Sequence, residues 1–177
     1  VEVVVTASAG GDTDFNARTI GKYFKDVSGA PLVVTNMPGG GGSTATGNVK
    51  NARPDGNKAL FCHTGQLIVN EVSGLIDYDF TAFEVSCVAG LNTSYVFVAS
   101  KGSGIRSLSD LVAKAKANPN SIVYGTEMGG FTHLQGLRLA QEAGIELKMV
   151  DTGSTSEKVT SLLADRIDFA AVSFGSV

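Results

Sequence analysis

The sequence predicts an α/β protein with mostly parallel sheets and helices on both faces of each sheet, in three layers. Short β-branched runs alternate with helical patterns along the 177 residues. Small, polar, glycine-rich turns stand where strands pass into helices, at residues 10–14, 39–43, 63–66, 129–133 and 152–156. Ligands of open α/β sheets bind beyond the carboxyl ends of the strands, where these turns fall. The free N–H groups and the dipole of a helix N-terminus favour an anion at such turns.

Residues 1–99 are predicted to form a first lobe. Its strands are expected in the β-branched or apolar runs at 1–7, 32–35, 59–63, 83–90 and 95–100. Its helices are expected at 14–28, 43–51 and 66–73. Gly29 and Pro31 end the first of these helices. Residues 90–94 are expected to link the last two strands.

Residues 100–177 are predicted to form a second lobe, because the pattern restarts after a Gly-Ser-Gly link at 102–104. A helix is expected at 107–117, with Ser107 as its N-cap and Asp110 three residues later as a box-like partner. Two further helices are expected at 132–144 and 156–165. Strands are expected at 122–125, 147–151 and 168–173.

The composition excludes several classes of function. Charged residues make up 18% and the formal net charge is -3, without a basic stripe, so nucleic acid is not an expected partner. No apolar stretch reaches the roughly 18 residues of a membrane helix. Two distant histidines, and cysteines without Cys-x-x-Cys spacing, predict no metal site, and no cofactor is implied. Because Val1 leads directly into a strand-like run, we expect that any export signal has been removed. Cys62 and Cys87 lie in apolar runs, which favours buried free thiols and leaves a disulfide open.

The turns admit both structural and functional interpretations. Asp12 or Thr13 can cap the first helix, but a cap does not require the two preceding glycines, so an anion cradle stays open there. The glycine run at 39–42 begins a loose Gly-x-Gly-x-x-Ala pattern, residues 40–45, which follows the second strand instead of the first. That placement disfavours a dinucleotide site and favours a tight structural crossover. His133, in the first turn of a helix, can be a general base, a ligand donor or a structural residue. No Gly-x-Ser-x-Gly nucleophile turn accompanies it.

Five short motifs follow one another along the chain. Residues 9–18 read Ala-Gly-Gly-Asp-Thr-Asp-Phe-Asn-Ala-Arg, residues 36–42 read Asn-Met-Pro-Gly-Gly-Gly-Gly, and residues 52–56 read Ala-Arg-Pro-Asp-Gly. Tyr78-Asp79 is followed by Phe83, and Thr132-His133-Leu134 comes later. In this order the chain resembles the substrate-binding proteins of tripartite tricarboxylate transporters, the TctC or Bug family. Ala9 stands where the family's first loop has proline.

The resemblance implies a two-lobed, periplasmic-binding-protein-like fold of type II, with the first lobe incomplete because family members are longer. It implies a periplasmic protein, not an enzyme, that captures a small organic carboxylate between its lobes and delivers it to the permease subunits of a membrane transporter. Whether a lipid anchor precedes Val1 stays open. Two alternatives remain from the residues themselves. One is an α/β enzyme acting on a small anionic metabolite, with His133 as acid or base. The other is a nucleotide-binding regulatory domain.

The ligand-contacting residues that the resemblance implies lie in the glycine-rich loops and at strand ends. They are Gly11, Asp12, Thr13, Asp14, Thr64, Gly65, Gln66, Gly130, Phe131, Thr132, His133, Thr152 and Ser173. One wall departs from the family, since its frequent Tyr-Lys-Gly turn is replaced here by Thr152-Gly153-Ser154. That wall therefore lacks an aromatic ring and a lysine.

Overall fold

A computed structural model describes residues 1–91 and 95–176. The chain divides into two compact units, Val1–Ala89 and Gly90–Val177. The division falls about ten residues before the boundary expected from the sequence. The strand Tyr95–Ala99, which the sequence analysis assigned to the first lobe, pairs with a strand of the second unit. Residues 92–94 of the expected link lie outside the described part.

Unit 1 contains a three-stranded parallel sheet. Its strands are β1 (Glu2–Val5), β2 (Val33–Asn36) and β3 (Lys58–Phe61), with β1 in the middle. Its helices are α1 (Asp12–Ser28), α2 (Ser43–Lys50) and α3 (Thr64–Val72), with short 3₁₀ turns at Gly40–Gly42 and Phe80–Ala82. Each strand is followed along the chain by a helix, as the sequence predicted.

The central strand of unit 1 is buried on both faces. Val3 and Val5 pack with Ala17 of α1 in one apolar cluster. Val4 points to the opposite face, because successive side chains of a strand alternate, and it is fully buried. Helix α2 contacts both β1 and β3. The continuous valine run of β1 therefore reflects a strand buried between layers.

Unit 2 contains a four-stranded mixed sheet in the order β4-β7-β5-β6. The strands are β4 (Tyr95–Ala99), β5 (Val123–Thr126), β6 (Lys148–Asp151) and β7 (Phe169–Ser173), and only β4 runs antiparallel to its neighbour within this described sheet. The helices are α4 (Leu108–Ala117), α5 (Phe131–Ala143) and α6 (Thr155–Leu163). The expected cap of α4 is confirmed, since Ser107 Oγ accepts a hydrogen bond from the Asp110 N–H at 3.0 Å.

Alternate residues of β7 separate the two cores of unit 2. Phe169 and Ala171 face a cluster that includes Leu111 of α4 and is lined by side chains of α5. Ala170 and Val172 face a second cluster that includes a leucine of α6. Helices therefore cover both faces of this sheet, and the predicted three-layer α/β class is confirmed.

The prediction of a strand at 83–90 is wrong. Residues 84–90 form no strand and are exposed, with Val85 and Val88 more than two-thirds accessible. The run has the β-branched composition of a strand, but it pairs with none of the described strands. A β-branched run is not stabilised as a strand unless its side chains can pack against those of a neighbouring strand. The expectation of two buried thiols is also wrong in part, because Cys87 lies in this segment and is exposed while Cys62 is half-buried. Both cysteines are free thiols.

The helices are short relative to a lipid bilayer. Among residues 1–91 and 95–176, none is both long and apolar enough to cross a membrane.

Candidate functional site

Two of the candidate loops meet at one edge of the unit 1 sheet. Strands β1 and β3 are parallel neighbours, with Val5 beside Phe61, so the turns into α1 and α3 leave from the same carboxyl edge. A buried hydrogen bond of 2.5 Å from Thr6 Oγ1 to Gln66 Oε1 ties the end of β1 to α3. The structure therefore brings residues 11–14 and 64–66 to one edge.

Helix α1 begins directly after the glycine pair. Gly11 is its N-cap, with extended backbone and no side-chain cap, so the possibility that Asp12 or Thr13 caps the helix is not realised. Both residues already belong to the first helical turn. Within the described part of the chain, the N–H groups of Thr13 and Asp14 have no hydrogen-bond acceptor. They are donors that a small anion can use.

The side chain of Asp14 is directed into the protein and is only 5% exposed. Its Oδ2 accepts hydrogen bonds from the Gly10 N–H at 2.9 Å and Arg18 Nε at 3.0 Å, and its Oδ1 accepts one from Asn36 Nδ2 at 2.9 Å. Burial raises the pKa of Asp14, but the bonds from Arg18, Gly10 and Asn36 outweigh it and hold the pKa below its ordinary value. The carboxylate thus fixes the loop between β1 and α1 and leaves the amides of that loop for a ligand.

The loop before α3 exposes its first residues and buries the third. Thr64 is exposed, Gly65 is half-buried, and Gln66 is buried beneath them. His63 is the N-cap, and its Nδ1 accepts a hydrogen bond from the Gln66 N–H at 3.2 Å. The N–H groups of Thr64 and Gly65 have no acceptor among the described residues. The accessible donors of this loop are therefore these two amides and the Thr64 hydroxyl.

The four-glycine turn supports the neighbouring loop. Gly42 has a φ of 101°, and a Cβ there would lie 3.0 Å from Gln66 Nε2. The carbonyl of Gly41 accepts a hydrogen bond from Asn70 Nδ2 at 3.1 Å. Since Gln66 and Asn70 both belong to α3, the turn packs against that helix. This geometry fits the structural crossover favoured by the sequence.

The candidate loops of unit 2 also share one edge of their sheet. Strands β5, β6 and β7 are parallel to one another and end at Thr126, Asp151 and Ser173. The turn into α5, the turn into α6 and Ser173 therefore lie at the same carboxyl edge. Ser173 itself is half-buried and pairs with Tyr95 in the β4–β7 ladder.

The turn into α5 offers two backbone donors. Gly130 is the N-cap, and the N–H groups of Phe131 and Thr132 have no acceptor within the described residues. The ring of Phe131 packs edge-on against Tyr95, with centroids 5.6 Å apart. His133 Nδ1 accepts a hydrogen bond from the Gly129 N–H at 3.3 Å, which closes the turn. That bond places the proton of a neutral His133 on Nε2.

The Thr132 side chain is buried under this turn. Its Oγ1 lies 3.0 Å from Thr126 Oγ1 and accepts a hydrogen bond from Lys158 Nζ at 2.9 Å. The Tyr124 hydroxyl donates to the Thr132 carbonyl at 2.7 Å, and burial raises the pKa of that phenol. Thr152, at the end of β6, donates from both its N–H and its hydroxyl to the Thr126 carbonyl, at 2.8 and 3.2 Å. Two of the predicted contact residues, Thr132 and Thr152, thus hold the loops together with their side chains.

Sequence reasoning missed Lys158, the fourth residue of α6. Its side chain is almost completely buried, with 2% of the residue exposed. Helical periodicity could have found it, because Lys158 lies one turn before the buried Leu162 on the same face of α6. The sequence analysis did not recognise that a lysine on the buried face of α6 lies next to the predicted site.

At these loops, the side chains and the backbone amides of the predicted residues have different roles. The side chains of Asp14, Gln66, Thr132 and Thr152 are engaged in hydrogen bonds inside the protein. The first-turn backbone amides that have no acceptor among the described residues can bind an anion without a paired arginine. Within the described part of the chain there is no cluster of three histidine, cysteine, aspartate or glutamate residues that could hold a metal ion.

Comparison with known sequences gives one family. The family described as tripartite tricarboxylate transporter family receptor matches residues 16–177. The UPF0065 protein in the TAR-I ttuE-ttuC' intergenic region of Agrobacterium vitis is 30% identical over 173 residues, which cover 96% of this chain and 49% of that protein. Protein BugT of Bordetella pertussis is 25% identical, over 92% of this chain and 51% of BugT. The chain spans about half the length of these relatives.

Solved structures show the same fold. MatC from Rhodopseudomonas palustris, with bound malate, superposes with a TM-score of 0.84 at 22% identity, over 99% of this chain and 60% of MatC. A second R. palustris protein, with adipate, gives 0.77 at 20% identity, with the same coverage. The periplasmic binding protein BugD gives 0.76 at 24% identity, over 98% of this chain and 58% of BugD. The predicted periplasmic-binding-protein type of α/β fold is thereby confirmed.

The order of the motifs, the parallel sheets with glycine-rich turns at their carboxyl edges and the family match over residues 16–177 agree with one another. The chain belongs to the tripartite tricarboxylate transporter family receptors, the TctC or Bug family.

Proposed function

We propose that this chain is the solute-binding component of a tripartite tricarboxylate-type transporter, and that it captures a small organic carboxylate outside the cytoplasm. The captured acid would be delivered to the permease subunits in the membrane. Periplasmic location and the permease partner are parts of this proposal that follow from the family, in which BugD is a periplasmic binding protein.

The observation that carries the proposal is the repeated arrangement of helix N-termini. Helices α1, α3 and α5 each begin at the carboxyl end of a parallel strand. In each, two first-turn N–H groups have no acceptor among the described residues. Such donors, together with the positive end of the helix dipole, stabilise a carboxylate. Charge-assisted hydrogen bonds of this kind are roughly twice as strong as neutral ones.

The bound acids of two structural relatives agree with this chemistry. MatC holds malate, and the other R. palustris protein holds adipate. Both molecules carry two carboxylates. We therefore propose that a small dicarboxylate is the ligand class of this chain.

Catalysis is not part of the proposal. His133, the residue that an enzyme would use as acid or base, accepts the Gly129 N–H at Nδ1 and so closes its own turn. The described residues around it include no serine or cysteine nucleophile hydrogen-bonded to this ring. His133→Ala is expected to weaken ligand binding. The wild-type chain is expected to show no turnover of the bound acid, so this substitution has no reaction rate to lower. Turnover of any bound acid that disappears in this variant would instead support the enzyme alternative.

The binding test is a panel of organic acids measured by isothermal titration calorimetry. Malate, adipate, succinate and citrate are titrated into the purified chain, with glucose as an uncharged control and the diamine putrescine as a cationic control that carries no carboxylate. At least one dicarboxylate is expected to bind while neither control does. The proposed function is refuted if no acid of the panel binds to the folded protein.

A matched pair of variants tests the backbone donors. Thr64 is the first residue of α3 and follows extended backbone at His63, so proline fits there without breaking the helix. Thr64→Pro removes the hydroxyl and the N–H, whereas Thr64→Ala removes only the hydroxyl. We expect Thr64→Pro to bind about tenfold more weakly than Thr64→Ala, because one hydrogen bond to a charged group is lost. Equal affinities of the two variants would show that this amide does not contact the ligand.

A further inference from the structure

Two aromatic rings lie at the carboxyl edge of the unit 2 sheet. Phe131 is the first residue of α5, and its ring packs edge-on against Tyr95, with the centroids 5.6 Å apart and the ring planes at 62°. Tyr95 pairs with Ser173, the last residue of β7, so it lies at the same edge as the turn into α5. Tyr95 is 37% exposed and Phe131 is half-buried. The pair therefore presents apolar surface beside the backbone donors of this turn.

The ring pair is anchored in the core of unit 2. Phe97 lies two residues after Tyr95 on the same face of β4, because alternate side chains of a strand share a face. The Phe97 ring packs against the buried Phe169, with the centroids 6.0 Å apart. Edge-on pairs such as Tyr95 and Phe131 are favoured by the quadrupoles of the rings. Tyr95 thus stands on a face that continues into the core, and it holds the Phe131 ring at the start of α5.

Phe131 combines a hydrogen-bond donor and an apolar ring in one residue. Its N–H has no acceptor among the residues that the structure describes. In the first turn of a helix, the N–H groups and the side chains are both directed toward the N-terminal end. A carboxylate that accepts this N–H at about 2.9 Å therefore brings its carbon skeleton toward the ring of the same residue. The ring is placed to contact the part of the acid that follows the carboxylate.

The hydroxyl group closest to Phe131 in the sequence is turned into the loop. Thr132 is 8% exposed, and its Oγ1 lies 3.0 Å from Thr126 Oγ1. A hydroxyl group of the ligand that faces the rings would exchange water for aromatic surface, and a polar group that loses its hydrogen bonds weakens binding. A methyl group in the same place would instead gain about fourfold in affinity if it were fully buried.

We propose that Phe131, positioned by Tyr95, is a specificity-determining residue that selects dicarboxylates with an apolar carbon skeleton over those that carry a hydroxyl group. This inference rests on the proposed function, because it names the class of acid that the same site prefers. Of the acids bound in the two structural relatives, adipate has an apolar skeleton and malate carries a hydroxyl group. The rings of this chain favour an acid of the first kind.

Matched pairs of acids separate the effect of the carbon skeleton from that of the charge. Malate is compared with 2-methylsuccinate, and 3-hydroxyadipate with 3-methyladipate, by isothermal titration calorimetry at neutral pH. Within each pair the chain length and the two carboxylates are the same. The readout is the ratio of the affinity for the methyl acid to that for the hydroxy acid, which a purely structural role of Phe131 would leave unchanged. The wild-type chain is expected to favour the methyl acid by about fivefold or more in at least one pair.

Variants of the two rings test which side chain sets this ratio. Phe131→Ala is expected to bring the ratio close to one, whereas Phe131→Leu keeps an apolar side chain and most of the preference. Tyr95→Ala removes the support of the Phe131 ring and should lower the ratio, and Tyr95→Phe keeps the ring and should keep the ratio. Phe80→Ala, at an exposed phenylalanine of a 3₁₀ turn of unit 1, is the control and should leave the ratio unchanged.

The outcomes distinguish this inference from the proposed function. If the wild type binds an acid but favours the methyl acid in neither pair, the inference is overturned and the binding function stands. A ratio that stays intact in Phe131→Ala overturns it as well, and Tyr95→Ala decides in the same way if Phe131→Ala does not fold. Loss of the ratio in Tyr95→Phe would assign the selection to a hydroxyl group and would also overturn it. If the wild type binds no acid at all, the proposed function and the inference fail together.

Discussion

The most informative perturbation of unit 1 is Asp14→Asn, because Asp14 joins three parts of the fold. Its carboxylate accepts hydrogen bonds from the loop at Gly10, from Arg18 one turn along α1 and from Asn36 at the end of β2. Asparagine has the same shape but no charge, and it turns an NH₂ group toward one set of these donors. Leaving a buried donor without its acceptor lowers the free energy of unfolding by about 1–3 kcal/mol.

The size of the effect follows from the exposure of each partner. The Arg18 side chain is 50% exposed, so water can replace part of its ion pair, and we assign that contact well under 1 kcal/mol. The bonds from Gly10 and Asn36 are partly buried and are made to a charged acceptor. Together these contacts predict a loss of about 2 kcal/mol in the free energy of unfolding at pH 7.

The pH dependence gives a second, independent signature. The folded-state pKa of Asp14 lies below the ordinary value, so its contribution to stability is fully present above the pKa of the unfolded chain, near 4. The contribution is lost as the pH falls through the folded-state pKa. The difference in stability between the wild type and Asp14→Asn is therefore expected to be full at pH 6–7 and to shrink below about pH 4.

Urea denaturation followed by circular dichroism measures both signatures. Asp26→Asn is the matched control, because Asp26 is an exposed residue of the same helix, and its effect should stay within about 0.5 kcal/mol. Equal unfolding midpoints for the two variants would refute the role assigned to Asp14. A difference between the wild type and Asp14→Asn that grows on acidification would refute the direction of the pKa shift.

Two further predictions concern packing and thiol chemistry. Gly136→Ala should destabilise unit 2 by about 1–3 kcal/mol in the same assay, because the added Cβ would overlap the ring of the buried Tyr124. Gly21→Ala is the control, and it should be neutral or stabilising, because the nearest atom to its added Cβ lies at an ordinary 3.4 Å. A neutral effect of Gly136→Ala would contradict the packing. Iodoacetamide at pH 8 should label the exposed Cys87 quickly and Cys62 slowly, since burial raises the pKa of Cys62 to about 11. The labelled fraction of each thiol is measured by mass spectrometry after a short exposure. Equal rates of labelling at the two thiols would contradict this prediction.

The sequence was sufficient to predict the parts of the fold that depend on local pattern. The valine run of β1 and the capped start of α4 at Ser107 were both correctly expected. The strand predicted at 83–90 failed for a reason that local pattern does not contain. A β-branched run becomes a strand only if another strand lies beside it, and none of the described strands does.

The candidate site shows the same limit at the level of single side chains. The family resemblance predicted Asp14, Gln66 and Thr132 as contact residues, and they lie in the first turns of helices that begin at the carboxyl edges of the sheets. Spacing could not say that their side chains point inward, because that depends on partners distant in sequence, such as Asn36 for Asp14 and Thr6 for Gln66.

This inward orientation has a physical reason in the kind of site proposed. Backbone amides bind an anion well only if the turn that carries them is held rigid, since ordering a loose turn would cost conformational entropy at each binding event. Asp14 links its turn to the end of β2 by a partly buried hydrogen bond, and Thr132 links its turn to the end of β5 by a buried one. Under the proposed function, polar side chains at such loops would support recognition without touching the ligand. Their substitution should weaken binding through the amides they support, and Thr132→Val is the variant that isolates this effect.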